Sequence, residues 1–109
     1  MLFRTVDIGK TVDYESLEKA LIEAAEEVGW HAKVEDVKKK GYRLGSVREV
    51  EGYDYTDVHL RGRFLSAMDV MIHGKGVLER FTIFTGFPYG IARDPKVEKY
   101  LSAVSEKLQ

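Results

Sequence analysis

The stretch Asp57-Val58-His59-Leu60-Arg61-Gly62-Arg63-Phe64-Leu65-Ser66-Ala67-Met68-Asp69-Val70-Met71-Ile72-His73 decides the fold. Val58, Leu60, Gly62 and Phe64 alternate with Asp57, His59, Arg61 and Arg63, and Met68, Val70 and Ile72 alternate with Asp69, Met71 and His73. A period of two is that of a strand buried on one face. A loop at Leu65-Ser66-Ala67 sets Phe64 against Met68, Leu60 against Ile72 and His59 against His73, with every apolar residue on one side. A loop one residue shorter would mix the faces, because a one-residue slip inverts a strand.

The pattern extends in both directions. Downstream, His73-Gly74-Lys75-Gly76 reads as a tight turn whose first central glycine suits a type II′ hairpin. Residues 77–85 then form a strand with Val77, Phe81 and Ile83 on the apolar face, and Arg63, Asp69 and Arg80 fall in a row on the other. Gly86-Phe87-Pro88-Tyr89-Gly90 is a loop. Asp94 and Pro95 open a last helix, whose apolar stripe is Val97, Leu101, Val104 and Leu108. Upstream, residues 2–8 read as a strand and Gly9-Lys10 as a turn. Residues 13–29 read as a helix: Asp13 as N-cap, Tyr14, Leu17, Leu21, Ala24, Ala25 and Val28 at helical spacing, and Gly29 at the C-cap. Trp30, Ala32 and Val34 alternate with His31, Lys33 and Glu35 as a second strand. Lys38-Lys39-Lys40-Gly41 reads as a charged turn, residues 42–51 as a third strand bulged at Gly45, and Gly52-Tyr53-Asp54 as a further turn.

The order strand, helix, five strands, helix predicts a single α+β domain over residues 1–109: a β-α-β5-α antiparallel sheet with both helices on one face. In order of elements the chain resembles the helix-grip and TATA-binding-protein-like folds, which wrap a curved sheet around a long C-terminal helix. The resemblance covers the whole chain as topology and brings no functional residue with it. The last helix is shorter than in helix-grip proteins, and there is one strand more than in the simplest TATA-binding-like repeat.

Composition narrows the classes of function. With 17 basic and 18 acidic residues the net charge is −1, so nothing draws the whole chain to nucleic acid or an anionic membrane. The absence of cysteine excludes disulfides, thiolate nucleophiles, zinc–thiolate sites and iron–sulfur clusters. The N-terminus lacks the apolar stretch of a signal peptide, and no apolar run approaches the roughly 20 residues that span a bilayer. A cytoplasmic location is therefore expected. Charged residues make up 32% of the chain, Asn is absent and the only Gln is Gln109, a pattern that points to a thermophilic protein.

Several constellations could carry chemistry. His59 and His73, adjacent in the expected register, share their face with Asp57, and two imidazoles with a carboxylate can hold zinc or a similar ion. Arg61, Arg63 and Arg80 could bind an anion through the guanidinium fork, or form an ion-pair ladder with Asp69. Phe87 and Tyr89, between glycines, could gate a ligand or contact a partner. Glu79 falls on the apolar face between Val77 and Phe81, where desolvation would raise its pKa and make it a candidate general acid or base; a bulge would instead turn it outward. Lys38, Lys39, Lys40, Arg43 and Arg48 form a basic stretch that Glu35, Asp36, Glu49 and Glu51 largely cancel. Neither GxGxxG nor a Walker pattern occurs, and no cofactor is expected.

The reading that follows is a non-enzymatic binding or interaction module, homodimeric, holding a small hydrophobic ligand between sheet and helices. The alternatives are a small enzyme or metal-binding protein using Glu79 or the His59, His73 and Asp57 cluster, and a nucleic-acid accessory domain, which the charge balance disfavours.

Overall fold

Five strands and two helices build the computed structural model, which describes residues 2–43, 45–62, 67–85 and 95–109. They run β1 (Leu2–Asp13), α1 (Tyr14–Glu27), β2 (His31–Arg43), β3 (Ser46–Arg61), β4 (Ala67–Ile72), β5 (Val77–Thr85) and α2 (Pro95–Lys107). The strands form one antiparallel sheet in the order β1-β5-β4-β3-β2. The α+β class is as the sequence implies. The strand count is not: among the described residues there are five rather than six. Lys38 to Gly41 and Gly52 to Asp54, expected as turns, lie inside β2 and β3, which pair as one long hairpin closing between Arg43 and Ser46. Gly52, at φ 125°, accommodates the extra residues of an irregular β3 without reversing the chain, and Gly45, at φ 77°, sits at the actual reversal. Likewise Gly9-Lys10 is an irregularity within β1, where pairing with β5 shifts between Asp7 and Val12.

Both helices pack on one face of the sheet. Leu17, Leu21, Ala24 and Ala25 of α1 and Val97, Tyr100 and Val104 of α2 form one cluster with Val58, Leu60, Met68, Val70, Ile72, Phe81 and Ile83 from the strands. Truncating either buried leucine of α1 to alanine should cost roughly 2–5 kcal/mol. The Tyr100 hydroxyl donates to the Leu21 carbonyl across the helix pair at 2.9 Å, and its ring lies 5.4 Å from that of Trp30. Burial pushes the Tyr100 phenol far above its ordinary pKa, so it remains a donor. Helix α1 ends as its sequence suggests. Gly29 takes φ 80°, Gly29 N–H donates to Glu26 O and Trp30 N–H to Ala25 O, a Schellman ending. Its start differs from expectation. Asp13 occupies the N-cap position without a side-chain capping bond, and Tyr14 N–H instead donates to Gly76 O at 3.1 Å, tying the β4–β5 turn to the helix.

The faces of β3 and β4 match the alternation, but the register does not. Leu60 pairs with Met68 and Thr56 with Ile72, a slip of four residues from the expected partners. An even slip leaves every side chain on its expected face, so burial alone could not distinguish the two registers. The next hairpin slips in the same way: Asp69 faces Phe84, not Arg80. In β5 the buried residues are Leu78, Phe81 and Ile83, while Val77 is 72% exposed. The spacing of three between Leu78 and Phe81 turns both Glu79 and Arg80 outward. Glu79 is therefore not the interior carboxylate that strict alternation predicts; the outward-turning bulge is what the chain adopts. Among the described residues, no helix is long and apolar enough to cross a membrane.

Candidate metal centre on the sheet face away from the helices

Strand β3 carries Asp57, His59 and Arg61 on the face opposite the helices, because Thr56, Val58 and Leu60 between them are buried on the core side. Pairing brings Glu35 of β2 opposite Asp57, Asp69 of β4 opposite His59, and Met71 of β4 on the other side of Asp57. The imidazole of His59 is thereby ringed by carboxylates. Its Nδ1 lies 2.8 Å from Asp69 Oδ1, and its Nε2 lies 3.0 Å from Glu35 Oε2 and 3.8 Å from Asp57 Oδ2. Arg61 closes one end, donating to the carbonyls of Leu60 and Met68 and, at 3.4 Å, to Asp69 Oδ1.

Asp57 is the unusual member. It is 6% exposed on the face that strand alternation assigns to solvent, and its Oδ1 is buried with no hydrogen-bond partner among the described residues. Burial, reinforced by the negative charge of Asp69, raises its pKa to about 6. For His59, burial acts to lower the pKa, but the hydrogen bond to Glu35 and the charges of Asp57 and Asp69 outweigh it and raise the pKa overall. The arrangement therefore favours a positive charge at its centre and leaves one buried carboxylate oxygen without a partner.

One donor atom each from Asp57, His59 and Asp69 can be chosen so that all three lie within 4.8 Å of one another. A tetrahedral zinc ion with bonds of about 2.0–2.2 Å requires ligand atoms roughly 3.4 Å apart, a small adjustment from that spacing. Two carboxylates and one imidazole suit zinc or manganese. Three protein ligands would leave at least one coordination position open, as in sites that bind an exchangeable ligand.

The expected clusters are redrawn by the two register slips. Asp57 and His59 lie together as the sequence suggests. His73 does not join them: its ring lies 5.7 Å from that of Tyr55, and Asp69 takes its place. The arginine row is also broken. Arg61 turns to Asp69, whereas Arg80 pairs with Asp7 of β1 across the backbone and has its guanidinium 3.8 Å from Glu79. Arg63, Phe87 and Tyr89 lie outside the described residues, as does Asp94. Sequence reasoning missed Asp69 and Glu35 as partners of His59. Both alternate onto the correct face, and only the strand register, which alternation does not specify, joins them. Comparison with protein-family models, curated proteins and solved structures finds no match, so the helix-grip resemblance rests on element order alone.

Proposed function

We propose that this chain is a metal-binding protein whose Asp57, His59 and Asp69 hold one divalent transition-metal ion, His59 binding through the Nδ1 that faces Asp69 and Glu35 accepting from Nε2 to orient the ring. The observation that carries this reading is the buried, unpartnered Oδ1 of Asp57 beside an imidazole already ringed by carboxylates. A buried carboxylate oxygen without a partner is costly, and a cation supplies what it lacks. A carboxylate behind a metal-bound histidine commonly fixes its tautomer and orientation, and Glu35 takes that role. The test is calorimetric titration of the metal-free chain with zinc and with manganese. One ion per chain is expected, and Asp69→Asn should weaken binding roughly 10–100-fold, as loss of a ligand or its support does. No saturable binding of either ion would remove the proposal.

A second reading keeps a small apolar ligand between sheet and helices. It is supported by a cleft of about 200 Å³ between β1 and α2, whose floor of Val6, Ile8, Phe81, Leu101, Val104 and Leu108 is rimmed by the polar Asp7, Lys10, Ser105 and Gln109. That volume suits a small molecule better than the 300–1,000 Å³ typical of drug-sized ligands. Fluorescence quenching by short-chain alcohols or aromatics tests it. Two-fold self-association belongs to the same proposal, and β1 is its favoured surface. Among the described residues, this edge strand has no neighbour on its outer side, and Phe3 is 61% exposed. The opposite edge, β2, carries Lys33, Lys38 and Lys39, which oppose edge pairing. The expected setting is the cytoplasm.

A further inference from the structure

The β4–β5 turn holds Lys75 between Gly74, at φ 99°, and Gly76. Its ammonium lies 2.8 Å from each oxygen of the Asp36 carboxylate. The same Nζ stands 4.7 Å from the centre of the Tyr14 ring and 5.2 Å from that of Tyr53. One carboxylate and two aromatic faces around one cation are the elements of an alkylammonium site. The walls are fixed from beneath by Thr56, which is fully buried. Its Oγ1 donates to Asp36 at 3.0 Å and accepts from the Tyr14 hydroxyl at 3.4 Å, and the Tyr53 hydroxyl, 2.6 Å from Oγ1 and 3.2 Å from the Ile72 carbonyl, shares its one proton between them. The occupant is held differently. Lys75 has a side chain 43% exposed and sits on a turn flanked by two glycines, whereas Tyr14 is 8% exposed at the start of a helix. Asp36, with a side chain 55% exposed, opens the site to solvent, and half-buried Tyr53 and buried Tyr14 form its aromatic walls. Walls tied together by one buried hydroxyl around a hinge-borne occupant are what an exchangeable site requires.

We infer that Tyr14, Tyr53 and Asp36 form a recognition site for an alkylammonium group, and that Lys75 occupies it as an intramolecular stand-in that an external ligand displaces. The external group is an amine or quaternary ammonium, either free or carried on a methylated lysine side chain. This site lies on the helix-side face at the β4–β5 turn, apart from the metal centre, and does not depend on it.

The test uses the full chain and its Lys75→Ala variant, titrated with tetramethylammonium chloride and followed by NMR of the tyrosine rings, with sodium chloride at equal ionic strength as control. Lys75→Ala should bind on the order of 1 mM, the affinity that a few modest cation–π and charge contacts support. The unmodified chain should bind roughly tenfold more weakly or less, because Lys75 competes. A peptide carrying trimethyl-lysine separates the sources: affinity equal to that of tetramethylammonium indicates a free small cation, and affinity at least tenfold higher indicates a protein tail. Adding Tyr53→Leu to Lys75→Ala should abolish binding. If a folded Lys75→Ala chain shows no shift of Tyr14 or Tyr53 beyond the sodium control, the site does not exist. Should that variant unfold, displacement is read on the unmodified chain at high tetramethylammonium, and unmoved Tyr14 and Tyr53 resonances there overturn the inference equally.

Discussion

His59 of β3 stands directly opposite Asp69 of β4, with 2.8 Å between Nδ1 and the carboxylate Oδ1. That contact joins two strands and draws the imidazole into a group of carboxylates that includes the buried Asp57. The charges in that group, and the packing behind it, set how the chain responds to pH and to substitution.

The pH dependence of the metal-free fold follows from the sign of two shifts. Asp57 has a folded pKa of about 6, above its ordinary value of 3.8, so the stability it contributes is present below pH 4 and lost as pH rises toward 6. His59 is also raised above 6.5, so its contribution is full below that pH and lost as pH climbs through the folded value. Both act in one direction, and the metal-free chain should lose stability as pH rises from about 4 through 6 and on past 6.5. Asp57→Asn should remove the first part and stabilise the metal-free chain at pH 7 by about 1–2 kcal/mol. Urea denaturation at pH 5 and pH 8 checks this; equal stabilities would show that the cluster does not titrate as described.

Tyr100→Phe removes the bond to the Leu21 carbonyl without opening a cavity. A loss of about 1 kcal/mol in unfolding free energy is expected, the usual net worth of one buried hydrogen bond. Chemical denaturation measures it. No loss would mean that this bond adds nothing to what packing and the Lys107–Glu27 ion pair between the helices supply.

The lack of Asn and Cys, and the single Gln at the C-terminus, predict a thermal midpoint above the roughly 45–65 °C of mesophilic domains. Scanning calorimetry on the metal-free protein measures it, and a midpoint within that interval would contradict the thermophilic reading.

Pairing through the β1 edge predicts a dimer of twice 12.4 kDa by light scattering at micromolar concentration. Phe3→Glu, which places charge on that edge, should yield monomer. A mass of 12.4 kDa for the unmodified chain would end the dimer proposal.

Much of the fold was legible because side-chain period is a local property. Val58, Leu60, Met68, Val70 and Ile72 are buried as their alternation requires, and Leu17 and Leu21 as their helical spacing requires. Register is different, since every even slip preserves the faces. Placing His59 opposite Asp69 rather than His73 needed the true loop length, which alternation does not encode. The glycines misled for a related reason. Gly52 and Gly9 permit positive φ, but that freedom serves a bulge as readily as a turn. Glu79 followed from assuming unbroken alternation in β5, where Leu78 and Phe81 are in fact both buried. The Lys75 site left no sequence signal at all. Tyr14 reads as part of a helical stripe, and Asp36, Tyr53 and Lys75 meet only through the tertiary fold.

The most direct test of the proposed metal centre is the imidazole NMR spectrum during zinc titration of the chain, which has three histidines. The ring nitrogens of His59 should shift in a one-to-one titration while those of His31 and His73 stay in place, and Asp57→Asn should weaken the response. Zinc that moves His31 or His73 instead, or leaves His59 unchanged at saturation, would contradict that centre.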